Sequence, residues 1–356
     1  MGDMGEKIKA NKNQDFYLPM EELANLGAGV APLIPAFRTV TETMEMNTGE
    51  FFKLADEETA ELMKRAKDGN WWENIKARTG EVSKAQFCQI KEGVCKQTID
   101  LPIDAAQIMM AASLFSVLKE ISEIERIGKE IENFLLEEKK EEIELAVEQL
   151  ISIGERMKDN WLDEDFIKES YQVVVDIKTR AKNKITAFQT QVVSPLNSNK
   201  IITSYEQNKE ILDNLVKDFR YYRLDLYIFS CASYLEILLG GNFDEDYIRE
   251  IKIKAEDHSH KYRSILTRCT DELDRRTKQS IRTNTIKEAL ENGVVKEGGN
   301  HLKSHIYEVE KKTLEEIVGI SNPGTIMFIR KMDDLIQLYN RTKDICFDKE
   351  NIYFVE

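Results

Sequence analysis

The 356-residue chain carries 50 Lys and Arg against 64 Asp and Glu, a formal net charge of −14, with 42% hydrophobic and 32% charged residues. That balance supplies a sizeable core and argues against a general nucleic-acid or anionic-membrane binder, because both depend on a positive field. Six prolines and 17 glycines, mostly placed between periodic segments, suit a mainly helical protein.

Residues 1–15 are polar, lack the apolar stretch of a secretory signal and read as a disordered tail. Residues 16–98 read as a small β-rich module with an apolar segment, LANLGAGVAPLIPAF at 23–37. Pro32 and Pro35 exclude a regular helix throughout that segment. The plainer expectation is an apolar loop packed beneath a domain. The sharper one makes Leu26, Val30, Leu33, Ile34 and Phe37 a membrane-meeting or conformational-switch segment. Thr39, Val40, Thr41 and Thr43 favour strand, Asn47-Thr48-Gly49 favours a turn, and hairpins are expected at Asp68-Gly69 and Thr79-Gly80. Residues 57–67 suit either a short helix or a strand.

Residues 99–292 read as a bundle of long helices. Asp100 or Asp104 caps the first, whose heptad positions are Leu114, Val117, Ile121, Ile124, Gly128, Ile131 and Leu135. The charge run 137–142 reads as a tight connection or a solvated overlap, and 144–160 as the antiparallel partner. Asp163 is a good N-cap for a helix to Val193, with the stripe Ile167, Tyr171, Val174, Ile177, Ala181, Ile185, Phe188 and Val192. The organising feature is 201–290, two long helices joined at Gly240-Gly241. The first carries Ile201, Tyr205, Leu212, Leu215, Phe219, Tyr222, Phe229, Leu235 and Leu239 on one stripe. The second carries a heptad, coiled-coil-like seam of Ile248, Ile251, Ala255, His258, Tyr262, Ile265, Cys269 and Leu273. Gly240-Gly241 has the form of a helix C-cap, and Asp244, Glu245 and Asp246 suit the start of the next helix. Residues 293–300 read as a flexible linker, 301–344 as a C-terminal helical hairpin broken at Ser321-Asn322-Pro323-Gly324, and 345–356 as a β-like tail that joins the N-terminal module.

The phosphate-cradling patterns GxxxxGK[ST] and GxGxxG and the nucleophile elbow GxSxG do not occur. His301 and His305 share a helix face at i, i+4 but lack the adjacent Glu of a metalloprotease and an indicated third ligand, so no metal is expected. His258 falls on the seam, where a hydrogen-bonded core histidine is the default reading and a pH-sensitive position the sharper one. The five cysteines form no CxxC pair and suit reduced core thiols of a cytoplasmic protein. No catalytic residue or cofactor is expected.

Four stretches carry a family resemblance: PIDAAQIMMAASLFSVLKEISEI at 102–124, DNW and DEDF within 159–166, SYLEILLGGNFDEDYI at 233–248 and FDKENIYF at 347–354. Through them the chain resembles a family of uncharacterised cytosolic helical proteins of Gram-positive bacteria, which implies a bacterial, cytoplasmic helical protein without an assigned activity. In the family an apolar segment of small residues follows the long helix, whereas 280–300 here is polar. The architecture alone also resembles that of α-helical pore-forming toxins. The fold expected is mainly α, an elongated antiparallel helical bundle with a long helical hairpin and a small β-rich N-terminal module. The function expected is non-enzymatic: an acidic interaction protein that binds a protein partner or forms an oligomer, without nucleic acid. A pore-forming or membrane-remodelling protein that stores 23–37 or 105–118 in soluble form is the less favoured alternative.

Overall fold

The computed structural model describes residues 16–26, 30–31, 33–43, 51–54, 85–91, 94–101, 107–116, 137–161, 163–191, 205–292 and 320–355. They are mostly helical, with a small antiparallel sheet, and the chain divides into two compact units. The first comprises Met1–Asp176, Cys231–Lys252 and Met327–Glu356, the second Ile177–Ser230 and Ile253–Ile326. The expected hairpins at 68–69 and 79–80, the 57–67 element, the heptad beyond Leu114, the linker at 293–300 and the histidine pair at 301 and 305 lie outside the described residues.

The sheet belongs to the first unit. Its strands are β1 (Phe16–Pro19), β2 (Phe51–Leu54), β3 (Ala85–Lys91), β4 (Val94–Leu101), β5 (Asp344–Phe347) and β6 (Asn351–Val355), in the order β1-β6-β5-β2-β3-β4. The C-terminal hairpin thus fills the middle of a sheet whose outer strands come from the other end of the chain. Its turn is made by Asp348, whose Oδ1 accepts from the backbone N–H groups of Glu350 and Asn351 at 2.8 Å each. Apolar burial is strongest there: Ile345, Cys346, Phe347, Ile352 and Phe354 are fully enclosed, so both faces of β5 and β6 are covered. Lys53 and Asp344 form a half-buried ion pair at 2.7 Å where β2 runs beside β5.

The segment after β1 departs from expectation. Met20–Leu26 is a 3-10 helix, and Leu33–Thr43 is an α-helix, α1, where the threonines had suggested strand. Two facts explain the difference. Leu33, Ala36, Phe37 and Val40 form a buried stripe at helical spacing, and Thr39 bonds its hydroxyl to the Pro35 carbonyl at 2.7 Å, which satisfies the side chain inside a helix. Pro35 lies in the first turn, where a proline's missing N–H removes no helical bond. Cysteine usage also needs correction: Cys88 is disulfide-bonded, whereas Cys231, Cys269 and Cys346 are buried thiols outside any disulfide. Pairing of β3 with β4 sets Cys88 opposite Thr98 and Ile90 opposite Cys95 in one ladder, a neighbourhood invisible in the linear spacing.

Helices make up the rest of both units. Residues 107–116 form α2, and Glu137–Asn160 forms α3, which starts at the charge run that had read as a connection or a solvated overlap. Asp163 caps α4 (Glu164–Gln191), its Oδ1 accepting from the backbone of Asp165 at 3.0 Å and Phe166 at 3.2 Å. Helix α5 (Tyr205–Gly240) ends at Gly241, whose φ of 62° and bonds to the carbonyls of Ile237 and Leu238 form a left-handed cap. Asp244 then caps α6 (Glu245–Asn292) through Asp246 and Tyr247. Helix α7 (Ile326–Ile336) passes into a π turn at Gln337–Arg341.

In the second unit α4, α5 and α6 meet through aromatic rings. Tyr262 of α6 stands edge-on to Phe219 at 5.2 Å and to Tyr222 at 4.9 Å, while Phe188 of α4 stacks on Tyr222 at 6.1 Å. Gln189 donates to the Tyr222 hydroxyl at 2.9 Å. The 320–325 segment is fastened to α6 as well. Tyr262 donates to the Ile320 carbonyl, and the hydroxyls of Ser259 and Thr325 share a bond of 2.7 Å.

Candidate functional site

Two regions hold the residues singled out in the sequence. In the first unit, Leu26, Val30, Leu33 and Phe37 are all buried, and Ile34 is half-buried. Phe37 meets Phe347 of β5 edge-on, with centroids 4.8 Å apart. Phe347 in turn stacks on Phe52 at 5.1 Å and is met edge-on by Phe87 at 5.2 Å. The apolar segment is therefore part of the sheet's own core. The second apolar stretch behaves likewise: Ile108 through Leu114 are buried without a gap.

Also in the first unit lies a set of enclosed hydroxyls that the sequence reading missed. Ser113 and Tyr339 share a bond of 2.8 Å, and Tyr234 donates to Ser116 at 3.0 Å. Phe243, at the α5–α6 turn, lies parallel to Tyr339 with centroids 3.8 Å apart. Asn340, in the π turn, donates to the Phe243 carbonyl at 2.7 Å. Burial raises the Tyr339 phenol well above its ordinary range, with the Ser113 bond opposing, so it stays a neutral hydroxyl at physiological pH. Residues 231–239 of α5 are buried throughout, including Ser233 and Glu236. The legible signal was a helix apolar on every face, with serines set among large side chains. Desolvation raises Tyr171 and Tyr247, and the charge of Glu236 pushes both the same way.

The second region is the seam of α6 within the second unit. The buried positions run Ala255, Ser259, Tyr262, Leu266 and Cys269, while His258 and Ile265 sit at its margin, half-buried. The stripe thus lies one residue to the side of the expected heptad at two positions, because Ser259, satisfied by Ala255 and Thr325, goes inward. His258 turns its ring against Phe229 of α5, with centroids 5.0 Å apart at 76°. Its Nδ1 is buried and has no hydrogen-bond partner among the described residues. Burial lowers its proton affinity first, then the nearby ammonium groups of Lys261 and Lys182, with Asp257 opposing. Attraction of an imidazolium to the Phe229 ring is worth about 0.5–2 kcal/mol. Leaving a charged, buried N–H without an acceptor costs about 1–3 kcal/mol or more. With two lysines adding repulsion, the neutral ring wins. Burial also raises the Cys269 thiol to about 11, which makes it a poor nucleophile at neutral pH.

Among the described residues no three His, Cys, Asp or Glu side chains gather as a metal-binding group, and no helix is long and apolar enough to cross a membrane. Comparison of the chain with protein-family models, with curated proteins and with solved structures gives no match.

Proposed function

We propose that this protein is a non-enzymatic helical-bundle interaction protein, acting through contacts with a protein partner or with further copies of itself. The observation that carries the reading is the use made of its enclosed polar groups. Ser113, Ser116, Tyr234, Ser259, Tyr262, Thr325 and Tyr339 each spend their hydroxyls tying one segment to another. Such bonds specify packing: each holds an element in one register, as a scaffold that presents fixed helical faces requires. The finer architecture belongs to the same proposal. Phe219 and Tyr222 meet Tyr262, while Phe229, further along α5, meets His258, further back on α6. That order supports an antiparallel hairpin of α5 and α6. The family resemblance adds a bacterial, cytoplasmic setting, which the Cys88 disulfide does not favour.

A pore-forming or membrane-remodelling role is the second reading. The amphipathic α1, whose apolar stripe is stored against the sheet, favours it. The net charge of −14 opposes approach to anionic bilayers, and the stripe of α1 already has a use in the core. Light scattering on the eluting protein, with capture of partners from a bacterial lysate in parallel, tests the first reading. A particle of more than one chain or a stoichiometric protein partner is expected. A strict monomer at every concentration that retains no partner would overturn it.

A further inference from the structure

We propose that His258 is a proton-operated latch in the second unit, whose protonation loosens α6 from α4 and α5 and frees the 320–325 segment. The inference is independent of the interaction reading. It stands on three geometric facts and on the charge around the ring. The Nδ1 atom is buried and has no hydrogen-bond partner among the described residues. The ring packs against an aromatic side chain of α5, Phe229, with centroids 5.0 Å apart, and that side chain carries no oxygen or nitrogen to accept from a second N–H. The charged groups around it are Lys182 of α4 and Asp257 and Lys261 of its own helix, so positive charge outnumbers negative. The adjacent residue, Ser259, and Tyr262 one turn on make the bonds that hold Thr325 and Ile320. A displacement of α6 at His258 therefore acts directly on the points where that segment is fastened.

The direction follows from linkage. The folded chain holds the imidazole's proton affinity below its ordinary value of 6.5, so the native state binds fewer protons than the unfolded one. Full stability is present above that value. It is lost as pH falls through 6.5 and on through the lower folded value.

The test uses the full chain between about pH 7.5 and about pH 5.5, the range in which histidine titrates. Hydrogen exchange is followed by mass spectrometry, corrected for the intrinsic pH dependence of exchange, alongside thermal midpoints. Acidification is expected to speed exchange about threefold to tenfold in peptides covering 255–266 and 320–326, with a falling midpoint. His258→Gln should show neither change. A variant with Gln at His260, His301 and His305 should respond as the wild type does. Lys182→Met, at an exposed position of α4, should reduce the response and serves if His258→Gln does not fold. Equal responses in wild type and His258→Gln would overturn the proposal. So would an unaltered response in Lys182→Met, a response lost with the other three histidines, or acceleration spread evenly over the chain.

Discussion

Ser113 and Tyr339, 226 residues apart in sequence, share a hydrogen bond of 2.8 Å between two buried hydroxyls. Ser113 has a second acceptor in the Met109 carbonyl at 3.1 Å, so loss of the phenol does not orphan it. Tyr339→Phe should therefore cost only about 0.5–1.5 kcal/mol in urea unfolding. Tyr339→Ala, which also removes the ring stacked on Phe243, should cost about 3–5 kcal/mol. A double-mutant cycle with Ser113→Ala should return a coupling near 1 kcal/mol. A coupling of zero would mean that the bond does not hold α2 to the π turn.

Phe347 is touched by three other rings, those of Phe37, Phe52 and Phe87. Its truncation leaves a cavity lined by side chains from α1, β2 and β3, which β-strand neighbours cannot easily fill. Phe347→Ala should destabilise by about 3–5 kcal/mol, a large share of an ordinary domain's 5–15. Phe37→Ala should have a similar effect, read by the same unfolding assay. A change below about 1 kcal/mol would show that α1 is not part of the core.

Asp163 and Asp244 each accept from two backbone N–H groups at the start of a helix. Substitution of either by Ala should cost about 0.5–2 kcal/mol, and by Asn much less. The two effects should add, since the caps share no partner. An equal loss for Ala and Asn would point to the charge at the helix N-terminus as the main contribution rather than the bond.

The cysteines provide a chemical check. Cys231, Cys269 and Cys346 are buried thiols outside any disulfide, and burial holds the Cys269 thiol at about 11. None of the three should react with a thiol reagent at neutral pH while the protein is folded. After unfolding without reductant three thiols should be counted, and with reductant all five. Five without reductant would remove the Cys88 disulfide. Rapid labelling of Cys269 in the folded protein would contradict its placement on the seam.

Features carried by local chemistry were the legible ones. Asp163 before an apolar stripe announced α4, Gly240-Gly241 followed by Asp244 announced the break between α5 and α6, and the β-like composition of 345–355 announced strand there, though not the hairpin around Asp348. The partner strands of that hairpin were less legible, because β1 and β2 lie about 300 residues away in the chain and pair through the backbone. Helix α1 was misread because threonine's strand preference outweighed a four-residue stripe, and only the Thr39 back-bond shows why the helix tolerates it. The inward seam position at Ser259 was hidden by its polarity. Its partner Thr325 is 66 residues on, and nothing local signals the pair. His258 was found from periodicity, but its meeting with Phe229 and Lys182 depends on how three helices pack.

Dye release from neutral and anionic vesicles, measured across a range of protein concentrations, tests most directly whether this chain works through protein contacts or through lipid. With Leu26, Val30, Leu33 and Phe37 built into the core beside Phe347, neither kind of vesicle should leak. Ile34→Asp, at a half-buried position that tolerates a charge better than Leu33, should then change nothing. Leakage at low protein concentration, abolished by Ile34→Asp in a variant that still folds, would contradict the account and make the pore-forming reading the better one.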